Sequence, residues 1–362
     1  MIQVSVPGKL FIAGEYAVLS KQQPAIIAAI DRFLTVQLTP NQEGIIYSSQ
    51  QPDTTIIWNR NQQHIITTTS NPYPFITTAI EVVESYVQSP TTDYFHIQVT
   101  SELDDAVTGV KYGFGSSGAV TVGVVEAVLR FYNIKPTPTL IYKLATIVQF
   151  RLGKMGSYGD IAASSFKEAL IAYTAVDKQW LHSQLQSHSI SEVVEQEWVD
   201  FSVEILPHPN DFIQFLVGWT QSSASTDIAI TNQTKKTNES WYQYWLLQAK
   251  ECTLTLIQAF KEKNSFTLFQ QIKYYRQLLQ ELAAHSDLLI ETPLLHDFCE
   301  IAYQYGGSAK TSGAGGGDCG ICFIPKDYSI TMLKQQWDKH GIQVLPVSFI
   351  TKENLYDTST TS

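Results

Sequence analysis

Cysteine is scarce in this chain, with four in 362 residues: Cys252, Cys299, Cys319 and Cys322. So few cannot form a disulfide scaffold for a chain of this length. Only Cys319 and Cys322 have a redox- or metal-like spacing, and no second pair follows. They fall in a β-prone run, where residues three apart face opposite sides, so ordinary buried thiols are expected. Positive charge is also short. Against 34 Asp and Glu stand 24 Lys and Arg, a net charge of −10. That excludes the broad basic face of a nucleic-acid binder, but one local Lys/Arg cluster would suffice for a small phosphorylated ligand. No apolar run reaches the roughly 18 residues of a membrane helix. Residues 1–7 have neither the basic nor the apolar region of a signal peptide. A cytoplasmic protein without a membrane partner is the expectation. The apolar content of 44% and charged content of 16% fit a globular enzyme. The length predicts two domains.

Residues 2–6, 10–13 and 25–38 are β-prone. Three short Thr/Ile-rich runs at 45–47, 54–58 and 64–67, split by Gln/Asn-rich turns, predict antiparallel hairpins. A helical stripe covers 75–87 and a strand 94–100. Residues 116–132 are small and apolar and predict a buried helix. A second helix is expected over 139–152 with Thr139 as its cap, after Pro136 and Pro138. A short helix at 161–166 has Asp160 at or near its N-cap, and 170–173 is a strand. The polar stretch 174–200 is the expected domain junction. Beyond it come a strand at 212–220, a serine-rich turn at 222–226, and helices at 238–263, 265–284 and 293–305. Strands at 320–324 and 344–349 flank a helix at 328–340. Strands followed by segregated helices predict an α+β fold rather than a doubly wound sheet. The expected division is an N-terminal domain over 1–190, a C-terminal domain over 191–352 and a frayed tail over 353–362.

What the chain does have is glycine, concentrated in three turns spread from end to end. The first is Pro7-Gly8-Lys9-Leu10-Phe11-Ile12-Ala13-Gly14-Glu15-Tyr16. The second is Lys111-Tyr112-Gly113-Phe114-Gly115-Ser116-Ser117-Gly118-Ala119. The third is Lys310-Thr311-Ser312-Gly313-Ala314-Gly315-Gly316-Gly317-Asp318. Glycine lets backbone amides crowd around an anion, and a helix N-terminus adds a positive dipole end. Three such loops with Lys, Ser and Asp beside them point to a phosphate-handling site assembled from distant parts of the chain.

The second loop formally matches the dinucleotide fingerprint, but its context does not. Residues 102–109 read as a loop, where a strand is required. No Asp or Glu occurs between Glu126 and Asp160 to hold a ribose. A Walker A loop is excluded too, because the Gly-Lys pairs at 8–9 and 153–154 are followed by Leu10 and Met155. The His-Arg-Asp and Asp-Phe-Gly strings of protein kinases are missing. Singly, Lys9 would be a surface lysine, Glu15 and Tyr16 a turn, and Asp160, Ser223 and Ser225 caps.

In this order, the motifs resemble the superfamily of galactokinase, homoserine kinase, mevalonate kinase and phosphomevalonate kinase. Gly-Phe-Gly-Ser-Ser-Gly-Ala at 113–119 is similar to its phosphate loop. Ser-Gly-Ala-Gly-Gly-Gly-Asp-Cys at 312–319 is similar to its C-terminal glycine motif. Tyr16, Gly-Ser-Tyr-Gly-Asp-Ile-Ala-Ala-Ser at 156–164 and Gly-Trp-Thr-Gln-Ser-Ser-Ala-Ser-Thr at 218–226 look most like the bacterial-type phosphomevalonate kinase branch. The resemblance implies a ribosomal-S5-like N-terminal domain and a ferredoxin-like C-terminal domain with the site in the cleft between them. It implies an ATP-dependent phosphotransferase with Mg²⁺ as cofactor, and ATP and 5-phosphomevalonate as its small-molecule partners. Mevalonate kinase, diphosphomevalonate decarboxylase and a non-catalytic ligand-binding member are the competing expectations.

By the same resemblance, Lys9 and Asp160 are catalytic. Lys111, Gly113, Gly115, Ser116, Ser117, Gly118, Ala119, Gly313, Gly315 and Gly316 hold the ATP phosphates, and Ser117 also meets the metal. Lys9, Glu15, Tyr16, Arg151, Ser157, Asp160, Ser223 and Ser225 line the acceptor site. Gln149 stands where mevalonate kinases carry a metal-binding Glu, so no carboxylate ligand is assigned. A phosphate-monoester acceptor has its second pKa at about 6 and needs little help from a base. Asp160 is therefore expected to act by positioning and by pairing with Lys9.

Overall fold

The computed structural model describes residues 1–61, 64–68, 70–88, 93–221 and 239–357. Its first half is built on one eight-stranded sheet of β1 (Ile2–Ala13), β2 (Pro24–Asn41), β3 (Gly44–Ser48), β4 (Thr55–Asn61), β5 (His64–Thr67), β6 (Tyr94–Ser101), β7 (Leu170–Thr174) and β8 (Ser202–Ile205). The strand order is β5-β4-β3-β6-β2-β7-β8, with β1 paired to β2. The hairpins expected at β3–β4 and β4–β5 are antiparallel, while β3 joins β6 in parallel. Residues 24–30 of β2 are buried without a break, as befits a strand covered on both faces.

Four helices pack together on this sheet: α1 (Pro74–Val87), α2 (Ser116–Phe131), α3 (Pro138–Arg151) and α4 (Gly159–Phe166). α2 buries every residue from Gly118 to Leu129 except Val120, so its length is enclosed by β1, β2 and its sister helices. The cap of α3 differs from the sequence expectation. Thr137, not Thr139, accepts from Leu140 N at 3.2 Å. Pro138 does not stop the chain but opens the helix, where its missing N–H costs nothing and its fixed φ is helical.

The stretch 174–200 holds two short helices, α5 (Lys178–Ser187) and α6 (Ile190–Glu195), rather than a linker. β8 then returns to pair with β7. The sheets therefore do not part at the expected 190/191 boundary, because β8 belongs to the first sheet and the next strand to the second.

The second half carries a four-stranded sheet in the order β10-β11-β9-β12, from β9 (Ile213–Trp219), β10 (Ser308–Thr311), β11 (Cys319–Pro325) and β12 (Gln343–Leu345). All its pairs are antiparallel. Helices α7 (Glu239–Lys261), α8 (Ser265–His285), α9 (Pro293–Gln304) and α10 (Thr331–Lys339) are segregated in sequence from most of the strands, as an α+β fold requires. The expected strand to 349 is shorter, and Phe349 makes only an isolated bridge to Ile30. A last helix, α11 (Lys352–Asp357), replaces part of the expected frayed tail.

All four cysteines are buried and unbridged. Cys319 and Cys322 face different cores, the large one and a smaller one around Phe298 and Trp337, as their spacing on a strand dictates. Among the described residues, no helix is long and apolar enough to cross a membrane.

Candidate active site

Between the two halves lies a cleft of about 530 Å³. Its walls come from all three glycine motifs. Lys9, Glu15 and Tyr16 line it from the first, Lys111, Gly113, Gly115, Ser116 and Ser117 from the second, and Ser312, Gly313, Ala314 and Asp318 from the third. Gln149, Lys154, Ser157 and Asp160 close one side.

The first motif turns only at its end, at Glu15 and Tyr16. Pro7, Gly8 and Lys9 lie inside β1, where the register against β2 shifts between Pro7 and Gly8. Lys9 is thus presented by a bulged strand, a device that re-aims a side chain. Its backbone N–H donates to Phe114 O at 3.0 Å and its ammonium to Gly113 O at 2.8 Å, which pins it to the second loop.

That loop reaches α2 through Gly115, whose φ of 80° no ordinary residue adopts cheaply. Ser116 and Ser117 are then the first helical residues, so the cleft receives backbone N–H groups with no intrahelical partner and the positive end of the helix dipole. Opposite stands Asp160, in the first turn of α4. The sequence placed it at or near the cap, and the cap residue is Tyr158.

Gly115 and Gly118 are where Lys9 and Asp160 meet α2. A Cβ on Gly115 would lie 3.1 Å from Lys9 Cε and 3.3 Å from Asp160 Cβ, and one on Gly118 would lie 2.5 Å from Asp160 Oδ2. Burial pushes the Lys9 ammonium below its usual pKa, while Asp160, Asp318, Cys319 and Glu15 pull it back up. Burial likewise raises the Asp160 carboxyl, with Lys9 and the backbone N–H groups of Ile161 and Asp160 opposing. Each group's charge thus opposes the effect of burial on the other, and the N–H groups at the start of α4 support the Asp160 carboxylate alone.

Three non-glycine residues around the cleft have left-handed backbones: Tyr16 (φ 61°), Tyr158 (φ 59°) and Asp318 (φ 46°). Such conformations persist only where surrounding contacts impose them, and they cluster at functional sites. Tyr16 is fixed by its hydroxyl, which donates to Ala314 O at 2.5 Å. Ser157 is fixed by Tyr173, whose hydroxyl donates to Ser157 O at 2.6 Å.

Not every expected residue reaches the cleft surface. Arg151 does not line it; the residue is exposed at the end of α3, where the charge of Glu81 acts on it, and Lys154 lines the cleft instead. Gly118 and Ala119 lie behind the surface. Gly118 makes room for Asp160 and Ala119 is buried. Gly315 and Gly316 brace the third loop from behind, with Gly316 N donating to Ile290 O at 2.9 Å. Ser223 and Ser225 lie outside the described residues.

Two cleft residues were given no role from the sequence, Asp318 and Lys154. Asp318 ends the third motif and was legible there. Lys154 sits in a Gly-Lys pair weighed only as a Walker loop.

Fold and cleft together define a small-molecule kinase that is neither a P-loop enzyme nor a protein kinase. The profile of the GHMP kinases N terminal domain matches residues 74–168, and that of the GHMP kinases C terminal matches residues 256–343. The chain is 31% identical to a phosphomevalonate kinase of Streptomyces sp. (strain CL190), over 94% of this chain and 95% of that one. It is 23% identical to a mevalonate kinase of Methanocaldococcus jannaschii, over 92% and 95% of the two chains. The structure of Streptococcus pneumoniae phosphomevalonate kinase in complex with phosphomevalonate and AMPPNP superposes with a TM-score of 0.85 at 30% identity, covering 97% of this chain and all of that one. The chain belongs to the GHMP kinase family, and it is an ATP-dependent kinase.

Proposed function

We propose that this kinase transfers the γ-phosphoryl group of ATP to the phosphate of (R)-5-phosphomevalonate, giving (R)-5-diphosphomevalonate. The step belongs to the mevalonate pathway of isoprenoid biosynthesis, and we place it in the cytoplasm. The observation that carries the reading is the meeting of Lys9 and Asp160 at Gly115, at the mouth of α2. There a cation stands between the helix end suited to the donor phosphates and the wall of Tyr16, Ser157 and Lys154 suited to the acceptor.

Phosphoryl transfer proceeds through a loose transition state, so positioning and charge stabilisation do most of the work. The backbone of Gly113–Ser117 and the hairpin carrying Gly313 cradle the ATP phosphates. Lys9 neutralises charge between donor and acceptor. Glu15, Tyr16, Ser157 and Lys154 hold the acceptor. Asp160 keeps Lys9 protonated against its burial and fixes its place, with no proton to abstract from an already ionised phosphate.

Mg²⁺ fits this cleft. The donor set is hard oxygen, from the Ser117 hydroxyl and the Asp318 carboxylate. Among the described residues there is no cluster of three or more His, Cys, Asp or Glu. That suits an ion that keeps several waters and relies on substrate phosphates. When bound, the ion supplies charge neutralisation for the phosphate oxygens.

The roles are tested by Lys9→Met and Asp160→Asn. Lys9→Met is expected to lower kcat by about 10³-fold or more, a loss typical of removing one charge-stabilising donor. Asp160→Asn is expected to stay within about tenfold of the parent, because positioning survives and no base is needed. An Asp160→Asn loss as deep as that of Lys9→Met would assign Asp160 the base role instead.

A further inference from the structure

Beside the cleft lies an ion pair of which the chemistry above uses only Glu15 and leaves its partner, Lys310, without a role. Lys310, on β10, is wholly buried, and Glu15, just past β1, is 3% exposed. The Lys310 ammonium donates to Glu15 Oε1 and, at 2.6 Å, to Thr311 O. Glu15 lines the cleft, and its Oε2 is buried with no hydrogen-bond partner among the described residues. The two halves are fastened around this pair. Tyr275 donates its hydroxyl to Glu15 O at 3.0 Å, and Ser312 Oγ donates to Phe11 O at 3.0 Å.

A buried carboxylate is an unfavourable wall for a site that takes polyphosphate, because low dielectric strengthens repulsion as much as attraction. A buried pair also contributes little net stability, since desolvation consumes most of the Coulomb gain. Stability therefore does not explain why both charges are placed here. The arrangement is explained if the carboxylate serves the cleft and the ammonium cancels its charge.

We propose that Lys310 is a positioning residue of the cleft that holds Glu15 as half of a net-neutral pair, so that the Glu15 carboxylate adds no uncompensated negative charge beside the substrate phosphates. The inference rests on the reading of the cleft as a phosphate-transfer site. It makes the two single substitutions opposite in sign, whereas a purely structural pair would make them alike.

The probe is ADP, titrated calorimetrically against the full-length protein with Mg²⁺, alongside kcat and KM for ATP and 5-phosphomevalonate. Lys310→Met leaves a lone anion and is expected to weaken ADP about tenfold or more. Glu15→Gln leaves a lone cation and is expected to bind ADP as tightly as the parent, or more tightly. The double variant Glu15→Gln/Lys310→Met restores neutrality and is expected to lie within about threefold of the parent. Equal weakening by both single substitutions would overturn the proposal, as would a double variant no better than Lys310→Met. If Lys310→Met does not fold, Glu15→Gln still decides the sign, since weakened ADP binding there contradicts the proposal. Absence of parental turnover with 5-phosphomevalonate would count against the acceptor assignment alone, because the ADP comparison does not depend on it.

Discussion

Gly118→Ala isolates the packing of Asp160 on α2. Gly118 has ordinary helical backbone, so alanine meets no strain in φ and favours the helix by about 0.5–1 kcal/mol. The added methyl carbon, however, would lie 2.5 Å from Asp160 Oδ2 and 2.8 Å from its Cγ. A comfortable contact is about 3.5 Å, so the carboxylate has to retreat by about 1 Å. Overpacking of this kind costs about 1–3 kcal/mol, which the helix gain partly offsets, leaving a net loss of about 0–2 kcal/mol. A misplacement of about 1 Å at a reacting centre costs about 10²-fold in rate. Gly118→Ala should therefore lower kcat by about 10²-fold with a modest loss of stability. The assay is ADP release at saturating substrates beside urea denaturation. A variant with kcat within about threefold of the parent and unchanged stability would refute the packing argument.

Three further outcomes follow from particular side chains. Gln149 is buried at the cleft and its Nε2 has no hydrogen-bond partner among the described residues. Gln149→Leu should thus raise stability by about 1 kcal/mol in denaturation while weakening ADP or acceptor binding, and tighter binding would contradict a donor role. Arg276 makes a bidentate bond to Glu291 at 2.6 and 2.8 Å, next to the Ile290 carbonyl that braces Gly316. Arg276→Met leaves the nearly buried Glu291 with only His296 and Gln280 beside it, should cost about 3 kcal/mol, and should raise KM for ATP by loosening the third loop. An Arg276→Met variant of parental stability would contradict this. Burial lowers the Lys178 pKa to about 8. A depressed folded pKa means that the unfolded chain binds more protons above pH 8, so stability from this group rises with pH through that window and is lost as pH falls below it. Lys178→Met should therefore gain stability relative to the parent at pH 7, and the gain should shrink by pH 9.5, as read by urea denaturation at both values.

Much of the site was legible because its chemistry is written in local strings. The glycine runs at 113–118 and 313–317 stand out on their own, whereas Lys9 and Asp160 each have an ordinary reading alone and are singled out only by the order of the motifs and the family they resemble. What local strings cannot carry is approach between distant segments. Arg151 and Lys154 are both cations near the same turn, and only the end of α3 decides which one faces the cleft. Gly118 read as a phosphate ligand, whereas its missing side chain serves Asp160 instead. The Glu15–Lys310 pair joins residues almost the whole chain apart, so no spacing rule could link them. In the fold, element types were readable from periodicity. The return of β8 to the first sheet was not, because a four-residue strand carries too little pattern to name its partner. The cap of α3 shifted to Thr137 because proline was read as a stop where it also starts helices.

The most direct measurement is ADP release with Mg²⁺-ATP and either mevalonate or 5-phosphomevalonate as the sole acceptor, with products identified by mass. The account predicts turnover with 5-phosphomevalonate alone and a product heavier by one phosphoryl group. Turnover with mevalonate, or release of CO₂, would contradict the acceptor assigned to the wall of Tyr16, Lys154 and Ser157.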